Sequence, residues 1–94
     1  MKIDFDVSKV THLEADTNYT NIHFIDGVFM KKPFTLKRFE DHPALGCSFI
    51  RVNRGTIIQK SFINWANEYE VALVTGAIFT ISRRRKIILM GSLG

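Results

Sequence analysis

Short runs of alternating apolar and polar residues, separated by turn-forming residues, occupy most of the chain. In the clearest run, Tyr19–Ile25, the side chains of Thr20, Ile22 and Phe24 alternate with those of their neighbours. A period of two is that of a β-strand, whose successive side chains point to opposite faces. Alternation together with β-branched and aromatic content predicts strands at seven places: Val10–Ala15, Tyr19–Ile25, Val28–Lys32, Phe49–Asn53, Thr56–Lys60, Glu70–Val74 and Ala77–Ser82.

Glycine-containing dipeptides between these runs predict the turns. Asp26-Gly27 favours a two-residue type I′ hairpin, in which both residues have positive φ. Thr75-Gly76 predicts a second hairpin, and Arg54-Gly55 predicts a turn in which the glycine lets the backbone turn sharply. Around Trp65 the pattern is irregular, and no element is predicted there.

One early segment has the features of a short helix. Thr35 is suited to cap a helix over Leu36–Asp41, and Phe34 and Phe39 have the spacing of a hydrophobic staple around that cap. Pro43 marks the end of the segment, because the residue before a proline is pushed out of helical geometry.

A closing helix is predicted for Arg83–Met90, where Ile87 and Met90 lie three apart and Gly91 follows. Many short strands with one or two short helices indicate a mainly β domain of small antiparallel sheets. The sequence contains no linker, low-complexity segment or internal repeat that would divide it. We therefore expect one domain over residues 1–94.

Length and composition indicate which class of protein this is and in which compartment it is expected. A chain of 94 residues with 46% hydrophobic content can bury a core without disulfides or metal. Its single cysteine, Cys47, cannot form an internal disulfide, and no apolar run approaches the roughly 20 residues that cross a bilayer. The N-terminus carries Asp4 and Asp6, and it lacks the basic segment followed by an apolar segment that is typical of a signal peptide. We expect a cytoplasmic protein with no membrane partner.

Positive charge is concentrated late in the chain. Met1–Gly27 has two cations and five acids, a net charge of −3, whereas Val28–Gly94 has eleven cations and four acids, a net charge of +7. The excess peaks in the run Arg83-Arg84-Arg85-Lys86, where adjacent like charges repel one another unless an anion neutralises them. Nucleic acid is the commonest partner for such a pattern, and the alternative is a basic surface without a partner.

Signatures of enzymes are absent from the sequence. There is no glycine-rich phosphate loop, nucleophile elbow or metal-binding pair of histidines. His12, His23 and His42 are scattered, and we expect each to be a surface or strand residue. Cys47 has no assigned activating base, so we interpret it as structural. Neither catalysis nor a cofactor nor a metal is expected.

Three polar loop regions are candidates for binding. Asp16–Asn21 offers hydroxyls and amides that reach base edges or phosphates, although Asn and Asp also favour ordinary turns. Arg51–Gly55 places a cation and an amide at a strand end, where an arginine is usually just solvated. Ser82–Lys86 is the strongest candidate, because arginine contacts guanine or phosphate in bidentate fashion.

The ordered set of these segments resembles the LytTR DNA-binding domain of bacterial response regulators, from about Val10 to Met90. Each segment is weak alone, and the order is what is specific. The segments are Leu13-Glu14-Ala15-Asp16-Thr17-Asn18-Tyr19-Thr20, Asp26-Gly27, Thr35-Leu36-Lys37, Phe49-Ile50-Arg51-Val52-Asn53-Arg54, Phe62-Ile63 and Ile81-Ser82-Arg83-Arg84.

The resemblance implies an elongated all-β domain that places loops, rather than a recognition helix, into successive major grooves of double-stranded DNA. The base-contact candidates that it implies are Asn18, Thr20, Asn21, Asn53, Arg54 and Arg83. The backbone-contact candidates are Arg51, Arg84, Arg85 and Lys86, with packing or an ion pair as the alternative role of Arg51.

Two departures from the family pattern affect these expectations. Asn53-Arg54-Gly55 stands where the motif usually has His-Arg-Ser, so contacts made by an imidazole and a hydroxyl do not carry over. Gln59 replaces a usual Asn, which we expect to affect a structural hydrogen bond more than base contacts. The N-terminal receiver domain that usually accompanies the family is absent here, as in an excised fragment or a stand-alone regulator.

Sequence-specific binding of double-stranded DNA in transcriptional control is the leading hypothesis. A module for RNA or single strands is the alternative, with Tyr19, Phe24 or Phe29 stacking on bases, although strand alternation predicts that most of these rings lie in the core. A basic protein-interaction module is the third. Further candidate partners are a second copy on repeated half-sites and a receiver domain outside this chain.

Overall fold

A computed structural model of the protein describes residues 1–85, and within them the chain forms two antiparallel sheets. The elements follow the predicted order. They are β1 (Val10–Asp16), β2 (Tyr19–Phe24), β3 (Phe29–Lys32), α1 (Leu36–Glu40), β4 (Phe49–Asn53), β5 (Thr56–Gln59), β6 (Ile63–Ala66), β7 (Glu70–Leu73) and β8 (Ile78–Thr80), with 3-10 turns at Val7–Lys9, Gly46–Ser48 and Lys60–Phe62.

The first sheet has the strand order β3-β2-β1-β5-β4, and the second has the order β6-β7-β8. Every pairing is antiparallel. The predicted mainly β class with small antiparallel sheets and a short helix is therefore confirmed. No helix in residues 1–85 is long and apolar enough to span a membrane.

One face of the first sheet is covered by α1. Leu13 lies opposite Ile22 on one side and Ile57 on the other, so the three side chains share a face. They pack with Leu36 and Phe39 of α1 in a buried cluster. A helix of five residues is too short to be stable alone, and this apolar face is what holds it.

The other face of the first sheet packs on the second sheet. Val52 and Ile58 come from β4 and β5, and Val71 and Leu73 come from β7. Ile81 closes the cluster from the segment after β8. The sheet is thus buried on both faces at β4 and β5, which fixes the start of the basic segment against β4.

The start of α1 follows the predicted staple. Thr35 has the extended geometry of a capping residue, with φ −72° and ψ 157°, although its side chain makes no capping hydrogen bond. The rings of Phe34 and Phe39 meet edge to face with centroids 6.3 Å apart. The apolar contact, and not the hydroxyl, sets the angle at which the chain enters the helix.

The predicted type I′ turn at Asp26-Gly27 is wrong. Gly27 has φ 90° but Asp26 lies outside the left-handed region, and the Phe24 N–H donates to the Val28 carbonyl oxygen at 2.9 Å. The loop therefore has three residues and ends on a left-handed glycine. The hairpin at Gly76, where φ is 95°, has the same hydrogen-bond pattern.

Three other predictions about the backbone need correction. Residues around Trp65, predicted to be irregular, form β6 and pair with β7. Gly55 does not have positive φ, so its turn does not require a glycine. The last strand is shorter than Ala77–Ser82, and the Arg85 N–H donates to the Ser82 carbonyl oxygen at 3.0 Å in a turn. The rest of the predicted closing helix, Lys86–Met90, lies outside the described residues.

Two buried polar side chains lie on the first sheet. The Gln59 amide donates to the carbonyl oxygen of Val10 at 2.6 Å, which joins β5 to the start of β1 and gives Gln59 the expected structural role. His12 is 7% exposed. Burial lowers the pKa of His12, the neighbouring His23 lowers it further, and Glu14 opposes the shift.

Candidate nucleic-acid interface

The three polar loop regions predicted from the sequence meet along one edge of the molecule. The Ala15 N–H donates to the Gly55 carbonyl oxygen at 2.9 Å, so the end of β1, next to the β1–β2 loop, is joined to the β4–β5 turn. The Ser82 N–H donates to the Val52 carbonyl oxygen at 2.8 Å and joins the segment after β8 to β4. Residues far apart in the sequence are thus held side by side.

The basic residues of this edge surround an open depression of about 460 Å³. It is lined by Arg51, Arg54, Ser82, Arg84 and Arg85. Arg83 lies between Ser82 and Arg84 in the turn that closes at Arg85. We call this set of residues, Arg51, Arg54 and Ser82–Arg85, the arginine face.

Exposed arginines project from the arginine face without partners inside it. Arg54, Arg83 and Arg84 are exposed, and within residues 1–85 none of their side chains makes an ion pair. Arg83 and Arg84 occupy the two central positions of the turn from Ser82 to Arg85, which directs both away from the core. Among the described residues, their guanidinium groups are open to solvent and to a bound anion.

The other two arginines of the face are anchored by Glu40 at the end of α1. One Glu40 oxygen accepts from Nη1 of Arg51 at 3.1 Å, and the other accepts from Nη1 of Arg85 at 3.4 Å. The Arg51 side chain is only 13% exposed. Its Nε donates to the Asn53 carbonyl oxygen at 3.3 Å and its Nη2 donates to the Arg54 carbonyl oxygen. Arg51 therefore supports the turn that presents Arg54.

Asn53 uses both ends of its amide within the protein. Its Nδ2 donates to the Thr80 carbonyl oxygen at 2.8 Å, and its Oδ1 accepts from the Gly55 N–H at 2.9 Å. One side chain thus fixes the β4–β5 turn and ties it to β8. Ser82 Oγ is buried and has no hydrogen-bond partner in the described part of the chain.

The β1–β2 loop contributes a more varied set of candidates. Asn18 is exposed at its tip, next to Thr17, which has φ 56° in a region that β-branched residues rarely adopt. Thr20 is fully buried and its hydroxyl donates to the Phe34 carbonyl oxygen at 2.8 Å, so it is not accessible in this structure. Asn21 Oδ1 is buried without a hydrogen-bond partner among the described residues.

Tyr19 and Phe29, two of the rings that were candidates for stacking on bases, lie apart from one another. Tyr19 and Phe29 are 46% and 58% exposed, so the prediction that most of these rings belong to the core is wrong for them. Tyr19 lies at the loop end of β2, beneath Lys31 at 5.7 Å, whereas Phe29 is paired with His23, four residues further along. That separation is about 13 Å along a strand. The two rings do not form one stacking platform.

Sequence reasoning missed two residues of the site. Glu40 carries no signal of its role, because an acid in a short helix is ordinary and its partners are 11 and 45 residues away. Thr17 was included only in a polar loop, and its left-handed backbone is visible only in the structure. Lys86, the last predicted contact residue, lies outside the described residues.

Comparison with solved structures gives an informative match. No protein-family profile matches the sequence, and no curated protein matches it at a significant level. The structure is similar to a solved one described as the LytTr DNA-binding domain of a methyl-accepting/DNA response regulator from Bacillus cereus. The TM-score is 0.82 at 23% sequence identity, over 98% of this chain and 87% of that one. The protein therefore has the fold of a LytTr DNA-binding domain.

Proposed function

We propose that the protein is a sequence-specific DNA-binding domain of a bacterial transcriptional regulator. The observation that carries the proposal is the arginine face, where three loops distant in sequence are hydrogen-bonded into one edge with exposed guanidinium groups. The fold match and the order of segments that resembles the LytTR family support it. Such a regulator acts on double-stranded DNA in the bacterial cytoplasm.

Among the described residues, loops rather than α1 are proposed to enter the DNA. The five residues of α1 span about 7.5 Å at 1.5 Å per residue, and two of them are buried against the first sheet. A helix of that length and orientation offers little to a major groove, which usually receives a longer recognition helix. The turns at Arg54 and Arg83 are the elements that project.

The geometry supports different roles for the different candidate DNA-contact residues. Arg83, Arg54 and Asn18 are exposed on loops and are proposed to reach base edges. Arg84 is proposed to hold the phosphate backbone together with Lys86. Arg51 and Arg85 are proposed to act mainly through Glu40, which fixes the position of both guanidinium groups. Thr20, Asn21 and Asn53 are proposed to position the loops.

Two further partners belong to the same proposal. A second copy of the domain on a neighbouring half-site would double the contacts with DNA, as is common among regulators. A receiver domain outside this chain would supply the activating signal. The arginine face of one chain is proposed to bind a duplex without either partner.

Selection of duplexes from a random pool, followed by competition binding, tests the proposal. We expect a preferred sequence to emerge and to compete better than random duplex, single-stranded DNA, RNA of the same sequence or heparin. If RNA or single strands win, the exposed Tyr19 and its neighbour Lys31 become the better candidate site. If heparin wins over every nucleic acid, the arginine face is a general anion surface and the proposal fails.

A further inference from the structure

A compact histidine–carboxylate cluster lies on β1 and β2, outside the arginine face. His12 and His23 are direct cross-strand partners, and Glu14 is two residues after His12 on the same face of β1. Glu14 Oε1 lies 3.1 Å from His12 Nε2 and 3.2 Å from His23 Nε2. All three potential ligand atoms lie within 4.8 Å of one another.

Both ring nitrogens of His12 have polar neighbours. The Thr11 hydroxyl donates to the His23 carbonyl oxygen at 3.2 Å and lies 3.0 Å from His12 Nδ1, and His12 Nε2 faces Glu14. In the tautomer whose proton is on Nδ1, the neutral ring presents the lone pair of Nε2 to the Glu14 carboxylate. These two atoms lie 3.1 Å apart, so a cation between them would be bound by both.

We propose that His12 Nε2, His23 Nε2 and the Glu14 carboxylate form a binding site for a divalent transition-metal ion of the zinc class. Imidazole and carboxylate ligands suit Zn²⁺, and Mg²⁺ and Ca²⁺ prefer sites made of oxygen alone. The site is distinct from the arginine face and does not depend on the function proposed for that face.

The two distances from Glu14 Oε1 to the histidine nitrogens fit a tetrahedral ion. Zinc bonds of about 2.0–2.1 Å place neighbouring ligand atoms about 3.3 Å apart, close to the two observed separations. The histidine rings are now stacked with centroids 4.2 Å apart and only 7° between their planes, so His23 must tilt to aim its lone pair at the ion. Its side chain is 30% exposed, and the site opens to a depression lined also by Thr75 and Gly27, where water can supply the fourth ligand.

The surroundings of the cluster resemble those of a supported metal site. The Thr11 hydroxyl lies 3.0 Å from His12 Nδ1, the ring nitrogen that faces away from Glu14, where a hydrogen bond would hold the ring in place for an ion at Nε2. On its other side, the His12 ring lies 4.8 Å from the ring of Phe79 in β8, which shields it from solvent. The sequence shows no short spacing typical of metal ligands at this site. The two histidines lie on different strands of a hairpin and become neighbours only through strand pairing.

The test uses the full chain with Cys47 replaced by Ser, since that exposed thiol would bind zinc independently. Isothermal titration with zinc sulfate is expected to show one saturable site per chain. Cobalt chloride is expected to give the visible absorption of a four- or five-coordinate ion. Zinc should also shift the ring NMR signals of His12 and His23 and leave those of His42 unchanged.

Matched variants decide whether these three residues form the site. His23→Gln and Glu14→Gln are expected to abolish saturable binding, and His42→Gln, which removes a histidine bonded to the Met1 carbonyl oxygen elsewhere, should bind as the parent does. Thr11→Val is expected to weaken binding by about 10–100-fold. Melting temperatures measured in EDTA show that each variant folds. Absence of saturable binding in the parent, or equal binding by His23→Gln and the parent, overturns the proposal.

Discussion

At the scale of single residues, the arginines of the arginine face fall into two groups. Arg51 and Arg85 share the two oxygens of Glu40, and their side chains are 13% and 25% exposed. Arg54, Arg83 and Arg84 are exposed and have no ion-pair partner within residues 1–85. The arginines of the first group are held by Glu40, and those of the second group are exposed to a ligand.

Arg83→Ala tests whether an exposed arginine reads a base. If its guanidinium contacts a guanine edge, the substitution should cost about 1–3 kcal/mol on the preferred duplex and much less on random duplex. Arg83→Lys should rescue only part of the loss, because an ammonium lacks the planar fork that matches two acceptors. Fluorescence anisotropy with both duplexes measures the two affinities.

Arg38 provides the control for Arg83. It is an exposed arginine of α1 that stacks on Phe34 at 4.9 Å and does not line the arginine face. Arg38→Ala removes the same charge and should leave the sequence preference intact. A large fall in melting temperature for Arg83→Ala with unchanged preference would show that Arg83 serves folding instead.

Glu40→Gln tests the anchoring of Arg51 and Arg85. Loss of the carboxylate leaves two half-buried cations without their partner, so unfolding free energy should fall by about 1–3 kcal/mol. Removal of a negative charge should strengthen binding to random duplex, while the loosened guanidinium groups weaken discrimination. Urea denaturation and anisotropy measure the two effects.

Asp41→Asn is the matched control on the same helix. Asp41 pairs only with the exposed Lys37, at 3.3 Å, within the described residues. Its removal should change stability little, since exposed ion pairs contribute about 0–1 kcal/mol. Equal effects of the two substitutions would mean that Glu40 acts through net charge and not through its two arginines.

At the scale of elements, local backbone geometry decides which loop residues can vary. The β2–β3 and β7–β8 hairpins share one design, a three-residue loop that ends on a left-handed glycine. The β4–β5 turn is different, because Gly55 has no positive φ and the turn is instead held by the Asn53 amide. Glycine is required in the hairpins and replaceable in the turn.

Gly76→Ala and Gly55→Ala form a matched pair for this difference. A Cβ at Gly76 meets no atom within 4 Å, so only the strain of φ 95° opposes the alanine. The free energy of unfolding should therefore fall by about 1–2 kcal/mol. A Cβ at Gly55 would lie 3.8 Å from Asn53 Oδ1, an ordinary contact, and should be nearly neutral. Denaturation midpoints compare the two. A larger loss at Gly55 would show that the turn needs glycine after all.

At the scale of the whole molecule, the exposed arginines lie apart from the two hydrophobic cores. The two cores hold the sheets and α1 together, and the arginine face lies at the edge where β4, β8 and the β1–β2 loop meet. Cations held there displace counterions when a duplex binds, which makes affinity depend on salt. The sequence net charge of +4 understates the local field at this edge.

The salt dependence of binding measures how many phosphates the whole face contacts. The slope of log affinity against log salt should be about −0.9 for each phosphate neutralised. Arg84→Ala should make the slope less negative by about 1 and weaken specific and random duplexes alike. Titrations at several potassium chloride concentrations give the slope. An affinity that stays flat between low and physiological salt would exclude DNA binding by this face.

The sequence by itself determined the elements whose causes are local. Alternation predicted seven of the eight strands described, and the staple of Phe34 and Phe39 predicted the start of α1. Local charge marked the run Arg83-Arg84-Arg85 as a candidate. Each of these depends on residues within a few positions of one another. The strand around Trp65 lacked a local pattern and was missed.

Only the tertiary structure decided which distant residues meet. Placement of β5 between β1 and β4 joined the β1–β2 loop to the β4–β5 turn, and the packing of α1 brought Glu40 to Arg51 and Arg85. Strand pairing likewise brought His12 and His23 together beside Glu14. Such contacts depend on register and on the burial of both sheet faces, and sequence periodicity specifies the face of a side chain but not its neighbour across the sheet.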